Sequence, residues 1–279
     1  MIVPFQVGEE IHLVNKKGRT YRLTLKAGAT FLFSGEAITH DDMIGQEDGS
    51  EIAFSRGTRF FIFRPTLADY TLHMPRGAQI LYPKDLALIP MWADIYPGAT
   101  VIEAGMGSGA LSLCLLNAIG EKGKLFGYEI REDFASRALK NIESRFSPTP
   151  LGDRLFIHQH DIYTGIKEES VDRIVLDLPE PHQVVPHAIE KLRAGGIFLA
   201  FLPTVPQVEI LVAALQNARI FERIETFETL LRPWNIDGRS VRPSLRMVGH
   251  SGFITTARRV KRLRRTVDEN TPSDAALPE

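Results

Sequence analysis

Apolar and polar positions fall into two textures along this chain. Between residues 11 and 63 the apolar positions come in short runs, at 11–14, 21–25, 29–33, 51–54 and 59–63. Gly28, Gly35, Gly45, Gly49 and Gly57 punctuate them, as does the turn Asn15-Lys16-Lys17-Gly18. Short runs broken by glycines predict the strands of a small barrel or sandwich. Roughly sixty residues bury little surface, so this part is expected to lean on the next one. Residues 64–83 read as a connector. Residues 84–96 place Leu88, Ile89, Trp92 and Ile95 at helical spacing, with Pro90 either kinking that helix or starting it.

From Thr100 onward, strands and helices alternate. Apolar strands are predicted at Val101-Ile102 and at 124–128, 155–158, 171–176 and 197–202. Helical patterns follow the glycines near 105 and cover 131–145, 184–193 and 205–217. Near-continuous apolar strands between helices imply a parallel sheet covered on both faces. Residues 220–231 and 250–257 predict two closing antiparallel strands with a polar, Arg/Pro-rich excursion between them. The chain therefore divides into a β-barrel-like domain at 1–65, a connector and first helix at 66–98, an α/β domain at 99–259, and a tail at 260–279. That tail is basic and then acidic, and is expected to be disordered.

Composition changes this picture little. With 44% hydrophobic and 24% charged residues in 279, the chain reads as globular. A net charge of −1 gives no global pull toward nucleic acid, so a polyanion site must be a local patch. The one cysteine, Cys114, sits in an apolar helical pattern and reads as a packed thiol. No apolar run approaches the ~20 residues of a membrane span, and no leader pattern opens the chain. The expected location is the cytoplasm.

The chemistry begins at Glu103-Ala104-Gly105-Met106-Gly107-Ser108-Gly109-Ala110. Alternate glycines between a strand and a helix let the backbone turn and let a ligand approach closely. The loop also satisfies G-x-G-x-x-A, so taken alone it fits a nicotinamide or S-adenosylmethionine. The acids favour the latter. Glu103 can reach the cationic end of a ligand, directly or through water. Glu129 is placed to hold a ribose diol, and Asp161 an adenine amino group, unless Asp161 simply caps a helix. A dinucleotide gains little from negative charge beside its pyrophosphate.

Three further stretches bear on the acceptor. Asp177-Leu178-Pro179-Glu180-Pro181 is a stiff acid-bearing loop, or else a surface turn. Gln79-Ile80-Leu81-Tyr82-Pro83-Lys84-Asp85 offers Tyr82 for stacking, or as a packed aromatic. Residues 242–253 bring Arg242, Arg246 and His250 to the last strand, or form an ordinary hairpin.

Residues 81–257 resemble the class I S-adenosylmethionine-dependent methyltransferases. The stretches QILYPKD, EAGMGSG, DLPEP and the final RMVGHSGF, in this order, resemble the tRNA (adenine-58-N1)-methyltransferase family of the single-subunit kind. The resemblance implies a Rossmann-like, mostly parallel seven-stranded sheet with its last strand antiparallel, behind a small N-terminal all-β domain. It implies a homotetramer, a dimer of dimers, that methylates N1 of an adenosine in the tRNA T-loop. It also implies cofactor contacts at Leu81, Glu103, Gly105, Gly107, Ser108, Gly109, Ala110, Glu129, Asp161, Ile162 and Asp177. Asp177 and Tyr82 would be catalytic. Tyr82, His182, Arg242, Arg246 and His250 would meet the RNA. His182 stands where the family usually has Trp, and Ser251 where Thr is commoner.

Methyl transfer from a sulfonium is an in-line displacement that needs no metal. Asp177 would accept from the adenine N6 amine, and the base must leave its stack to expose N1. Basic residues at 239–246 and 258–265 would grip phosphates. The competing readings are a metal enzyme using His158 and His160, a nicotinamide oxidoreductase, a methyltransferase for a protein carboxylate or small molecule, and a non-catalytic RNA-binding subunit.

Overall fold

Short alternating runs at the start of the chain pair as antiparallel strands. The computed structural model describes residues 3–77, 79–147 and 149–262. These fall into two units, 1–74 and 75–279.

In the first unit, β1 (Glu10–Asn15), β2 (Thr20–Thr24), β5 (Glu51–Ala53) and β6 (Arg59–Phe63) form one sheet, in the order β2-β1-β6-β5. Strands β3 (Thr30–Phe33) and β4 (Glu36–Thr39) form a separate hairpin. Alternation puts Ile11 and Leu13 of β1, and Phe60 and Ile62 of β6, into a core with Phe5, Met43 and Phe54. The unit ends with α1 (Leu67–His73), where a connector was expected. Its signal was present in the sequence as a reciprocal cap. Asp69 N donates to Thr66 Oγ1 at 3.1 Å, and Thr66 N donates to Asp69 Oδ2 at 3.1 Å.

In the second unit, two short helices, α2 (Pro83–Leu86) and α3 (Leu88–Trp92), replace the single helix expected there. Pro90 lies in the first turn of α3, where its missing N–H has no intrahelical acceptor to lose. The rest alternates: β7 (Thr100–Ala104), α4 (Ala110–Ile119), β8 (Lys124–Tyr128), α5 (Glu132–Phe146), β9 (Leu155–His158), β10 (Val171–Leu176), α6 (Val185–Lys191), β11 (Leu192–Leu202), α7 (Val205–Asn217) and β12 (Phe221–Glu228). A hairpin of β13 (Trp234–Asp237) and β14 (Ser240–Pro243) then precedes β15 (Phe253–Arg259).

Seven of these strands form one sheet, ordered β12-β15-β11-β10-β7-β8-β9. β15 runs antiparallel to both of its neighbours, while β7 to β11 pair in parallel. This is the Rossmann-like class I methyltransferase sheet that the motifs implied. The strand order reverses between β7 and β10, so the C-terminal ends of those two strands flank a crevice.

Two boundaries differ from expectation. The helix expected over 184–193 stops at Lys191, and β11 already begins at Leu192. Gly195 and Gly196 therefore lie inside a strand, across a register irregularity opposite Val171–Arg173. The polar excursion holds the β13–β14 hairpin, which turns at Gly238 with φ 54°. Residues 263–279, most of the expected tail, lie outside the described residues.

Candidate active site

Strand β7 carries Glu103 into the interior and releases the chain into the glycine loop. Gly105 N donates to Tyr128 O at 3.1 Å, and Gly109 N to Met106 O at 2.8 Å. Gly105 has φ 83°, and a Cβ there would stand 2.1 Å from Asp177 O. Gly107 has φ 54° and faces open space. One glycine is thus required by protein packing, and the other leaves room for a ligand. Gly109 ends the turn, and α4 starts at Ala110. Cys114 donates to Leu86 O from inside α4, and burial pushes its thiol up to about 11. It is a packed thiol.

Ser108 is buried, and its hydroxyl has no hydrogen-bond partner among the described residues. Its backbone oxygen accepts from Asn141 Nδ2 at 2.9 Å, and the same nitrogen donates to Pro75 O at 2.8 Å. Sequence reasoning missed Asn141. Its signal was a polar residue on the buried stripe of α5, among Phe134, Ala138 and Ile142.

The four acids stand in unlike environments. Glu103 is fully buried, neither of its carboxyl oxygens has a hydrogen-bond partner among the described residues, and desolvation raises it to about 8. Asp177 and Glu129 add to that rise. The Ser112 hydroxyl is near enough to oppose it, yet makes no hydrogen bond of normal geometry. Glu129 is held firmly, with Gly107 N donating to Oε2 at 3.2 Å and Arg131 N to Oε1 at 3.0 Å. A carboxylate has about four lone-pair sites, so two remain for a ligand. Asp161 does cap a helix: Tyr163 N donates to Oδ1 at 2.9 Å at the start of the turn Ile162–Thr164. Its Oδ2 makes no hydrogen bond among the described residues.

Asp177 directly follows β10, and its N–H donates to Ala104 O at 2.9 Å. Burial alone raises its carboxyl to about 6. The loop behind it is braced: Gln207 Nε2 donates to Pro179 O at 2.9 Å, and Glu180 N to Tyr163 Oη at 3.2 Å. His182 is half-buried in the one-turn helix Pro181–Val184.

Asp177 opens into a cavity of about 160 Å³, with Leu81, Tyr82, Phe201, Pro203 and Ser251 also in its walls. Tyr82 precedes α2 in extended conformation, at φ −75° and ψ 151°. The cavity thus unites three of the singled-out stretches: the one before the glycine loop, the one after β10, and the one before β15. His182 is not in its lining, and His250 lies beside it. His250 Nδ1 lies 2.8 Å from Glu228 Oε2, and Nε2 lies 2.9 Å from Pro203 O. Both ring nitrogens face acceptors, so the imidazolium is favoured and its pKa is raised. Phe201, Pro203 and Ser251 were not foreseen as lining residues, because only the fold brings β11 and β15 together.

Arg242 on β14 and Arg246 beyond it are exposed, and their side chains make no hydrogen bond or ion pair among the described residues. The second basic stretch behaves differently. Arg258 donates to Gly195 O, Arg259 to Ile189 O, and Arg262 pairs with Glu222 at 2.7 Å. β15 is antiparallel, so these residues sit at the edge of the sheet opposite the glycine loop. His158 Nε2 is engaged by Glu168 Oε1 at 2.6 Å. Among the described residues, no group of His, Cys, Asp or Glu could hold a metal ion, and no helix is long and apolar enough to cross a membrane.

Known proteins share this arrangement. Residues 59–248 match the family described as tRNA methyltransferase complex GCD14 subunit, and residues 4–52 match the TrmI-like N-terminal family. The tRNA (adenine(57)-N(1)/adenine(58)-N(1))-methyltransferase TrmI of Methanocaldococcus jannaschii is 37% identical over 268 residues, covering 88% of this chain and 93% of the relative. The crystal structure of a SAM-dependent O-methyltransferase from Thermotoga maritima superposes with a TM-score of 0.84 at 33% identity, covering 93% of this chain and 96% of that one. The structure of tRNA (m1A58) methyltransferase TrmI from Aquifex aeolicus gives 0.80 at 26% identity, covering 93% of this chain and 100% of that one. The chain belongs to the TrmI-like family of S-adenosylmethionine-dependent tRNA (adenine-N1)-methyltransferases.

Proposed function

We propose that this chain transfers a methyl group from S-adenosylmethionine to N1 of an adenosine in the T-loop of tRNA, at position 58. One observation carries the reading: the buried Asp177 carboxyl, without a hydrogen-bond donor among the described residues, opens into a cavity shared with Tyr82, directly behind the glycine loop.

The residues present fit the methyl donor. Glu103 is a buried carboxyl without a hydrogen-bond partner among the described residues, which suits a ligand with cationic groups. Gly107 leaves open space at the loop. Glu129 retains lone pairs for a ribose diol, and Asp161 Oδ2 suits an adenine amine. Leu81, Ile162 and Ala110 supply apolar walls. When bound, the donor supplies an electrophilic methyl carbon on a sulfonium.

The protein's own task is alignment. Tyr82 stacks on the flipped base and keeps water from it. Asp177 accepts from the N6 amine, turns N1 toward the methyl carbon, and offsets the positive charge that develops on the ring. Arg242 and Arg246 hold the RNA backbone at the mouth, with the His250 imidazolium beside the pocket. Assembly is a homotetramer, a dimer of dimers, and the single cysteine agrees with a reducing cytoplasm.

The test is incubation with S-adenosylmethionine and unmodified tRNA, followed by nucleoside mass spectrometry and site mapping. The product is 1-methyladenosine at one T-loop position, and its absence overturns the reading. The Thermotoga maritima relative's name favours a second acceptor class, an oxygen atom of a carboxylate or small molecule. A base-labile methyl ester in the same assay would select it.

A further inference from the structure

We propose that Lys84, Asp85 and Ser251 form a latch that joins the two walls of the acceptor cavity and so positions Tyr82 against the bound base. The inference rests on the acceptor reading above. Lys84 and Asp85 are charged, yet their side chains are only 4% and 1% exposed. Lys84 Nζ donates to Asp85 Oδ1 at 2.8 Å, to Thr229 O at 2.8 Å, and to the Ser251 hydroxyl. Ser251 in turn donates to Asp85 Oδ2 at 2.7 Å. All three ammonium protons and both carboxylate oxygens are thus engaged, which is the condition under which a buried ion pair is tolerated.

The placement gives the cluster its role. Lys84 and Asp85 follow Tyr82 at the start of α2, and Tyr82 and Ser251 both line the cavity. Ser251 belongs to the opposite wall, and it and Thr229 lie at the two ends of the excursion between β12 and β15. Tying this buried pair to Ser251 and Thr229, both far away in sequence, fixes the spacing of these segments more strictly than apolar packing would, because hydrogen bonds are directional. The Ser251 hydroxyl must both accept and donate. Threonine keeps that chemistry and alanine deletes both bonds. These are positioning residues, which act through Tyr82.

The experiment compares wild type, Ser251→Ala and Ser251→Thr, each saturated with S-adenosylmethionine. Amide hydrogen exchange is read over 79–86 and 249–253, alongside kcat and KM on unmodified tRNA. The latch requires that Ser251→Ala speed exchange in both segments together. It also requires kcat to fall about tenfold or more, cofactor affinity to stay within twofold, and Ser251→Thr to recover most of the loss. Lys84→Met/Asp85→Leu, which swaps the ion pair for apolar side chains, must show the same coupled exchange if it folds. Unchanged exchange overturns the latch, as does a kcat equal to wild type. Loss of cofactor binding in step with kcat also overturns it, since that would mark a general prop. If wild type forms no 1-methyladenosine, the acceptor reading fails, while the exchange data still decide whether the walls are coupled.

Discussion

The backbone oxygen of Asp177 lies 2.1 Å from the point a Cβ on Gly105 would occupy. The donor loop and the acceptor acid therefore meet through backbone, at the ends of two strands paired in register as Val175↔Glu103 and Leu176↔Ala104. Gly105→Ala must push β10 and its carboxylate away, and it also places a side chain at φ 83°. It should lower the melting temperature of the ligand-free protein and abolish turnover. Gly107→Ala meets no protein atom within 4 Å. It should cost only the left-handed backbone penalty, about 1–2 kcal/mol, yet still lose S-adenosylmethionine affinity because the new methyl group occupies ligand space. Calorimetric titration and thermal unfolding of the two variants separate these effects. Equal melting temperatures would refute the distinction.

Glu103 predicts an unusual pH dependence for the ligand-free protein. Its carboxyl is raised from 4.5 to about 8, so the folded state holds a proton that the unfolded state has lost. The stability it contributes is therefore complete below about pH 4.5 and is lost as pH rises toward 8. Asp177, raised to about 6, acts in the same direction over a lower window. Glu103→Gln should flatten the fall in melting temperature between pH 6 and 8 and stabilise the ligand-free protein at pH 8. A cationic ligand favours the ionised form, so binding at pH 7 should release a proton. Titration in buffers of different ionisation enthalpy measures that release, and a value of zero would count against Glu103 as the cationic group's partner.

What could be read from the sequence follows from what each segment buries. The central strands were legible because parallel strands covered on both faces are almost continuous apolar runs; β8 and α7 fall where their patterns placed them. The start of β11 was not, because Gly195-Gly196 has the look of a turn while the strand passes through it. The β13–β14 hairpin was hidden for a different reason. Trp234, Ile236 and Val241 are exposed, so the arm has no buried face to impose an alternation. At the site, the local motifs disclosed the acids but not their partners. Phe201, Pro203 and the Lys84–Ser251 bond depend on strand order, which no window of sequence contains.

Asp177 should show its role in turnover rather than in cofactor binding. It lacks a donor among the described residues, and an ionised carboxylate is needed to accept from N6. Asp177→Asn keeps the shape and removes the charge. The expected loss is on the order of 10²-fold in kcat, with S-adenosylmethionine affinity within a few-fold of wild type. The wild-type rate should fall as pH drops through about 6, and the variant's residual rate should lose that limb. Full activity in Asp177→Asn would remove the residue from the mechanism.

The two basic stretches make opposite predictions, although their compositions look alike. Arg242 and Arg246 are exposed and unpaired among the described residues, near the excursion that leads to the cavity. Arg258 is spent on Gly195 O at the far edge of the sheet. A phosphate contact releases counterions, so each arginine that makes one contributes roughly one unit to the slope of log affinity against log salt. Arg242→Ala and Arg246→Ala should each weaken tRNA binding and make that slope shallower, while Arg258→Ala should leave both unchanged. Filter-binding titrations from 50 to 200 mM salt, roughly the range over which such contacts are screened, provide the measurement. A shallower slope in Arg258→Ala alone would place the RNA on the opposite edge and detach it from the Asp177 cavity.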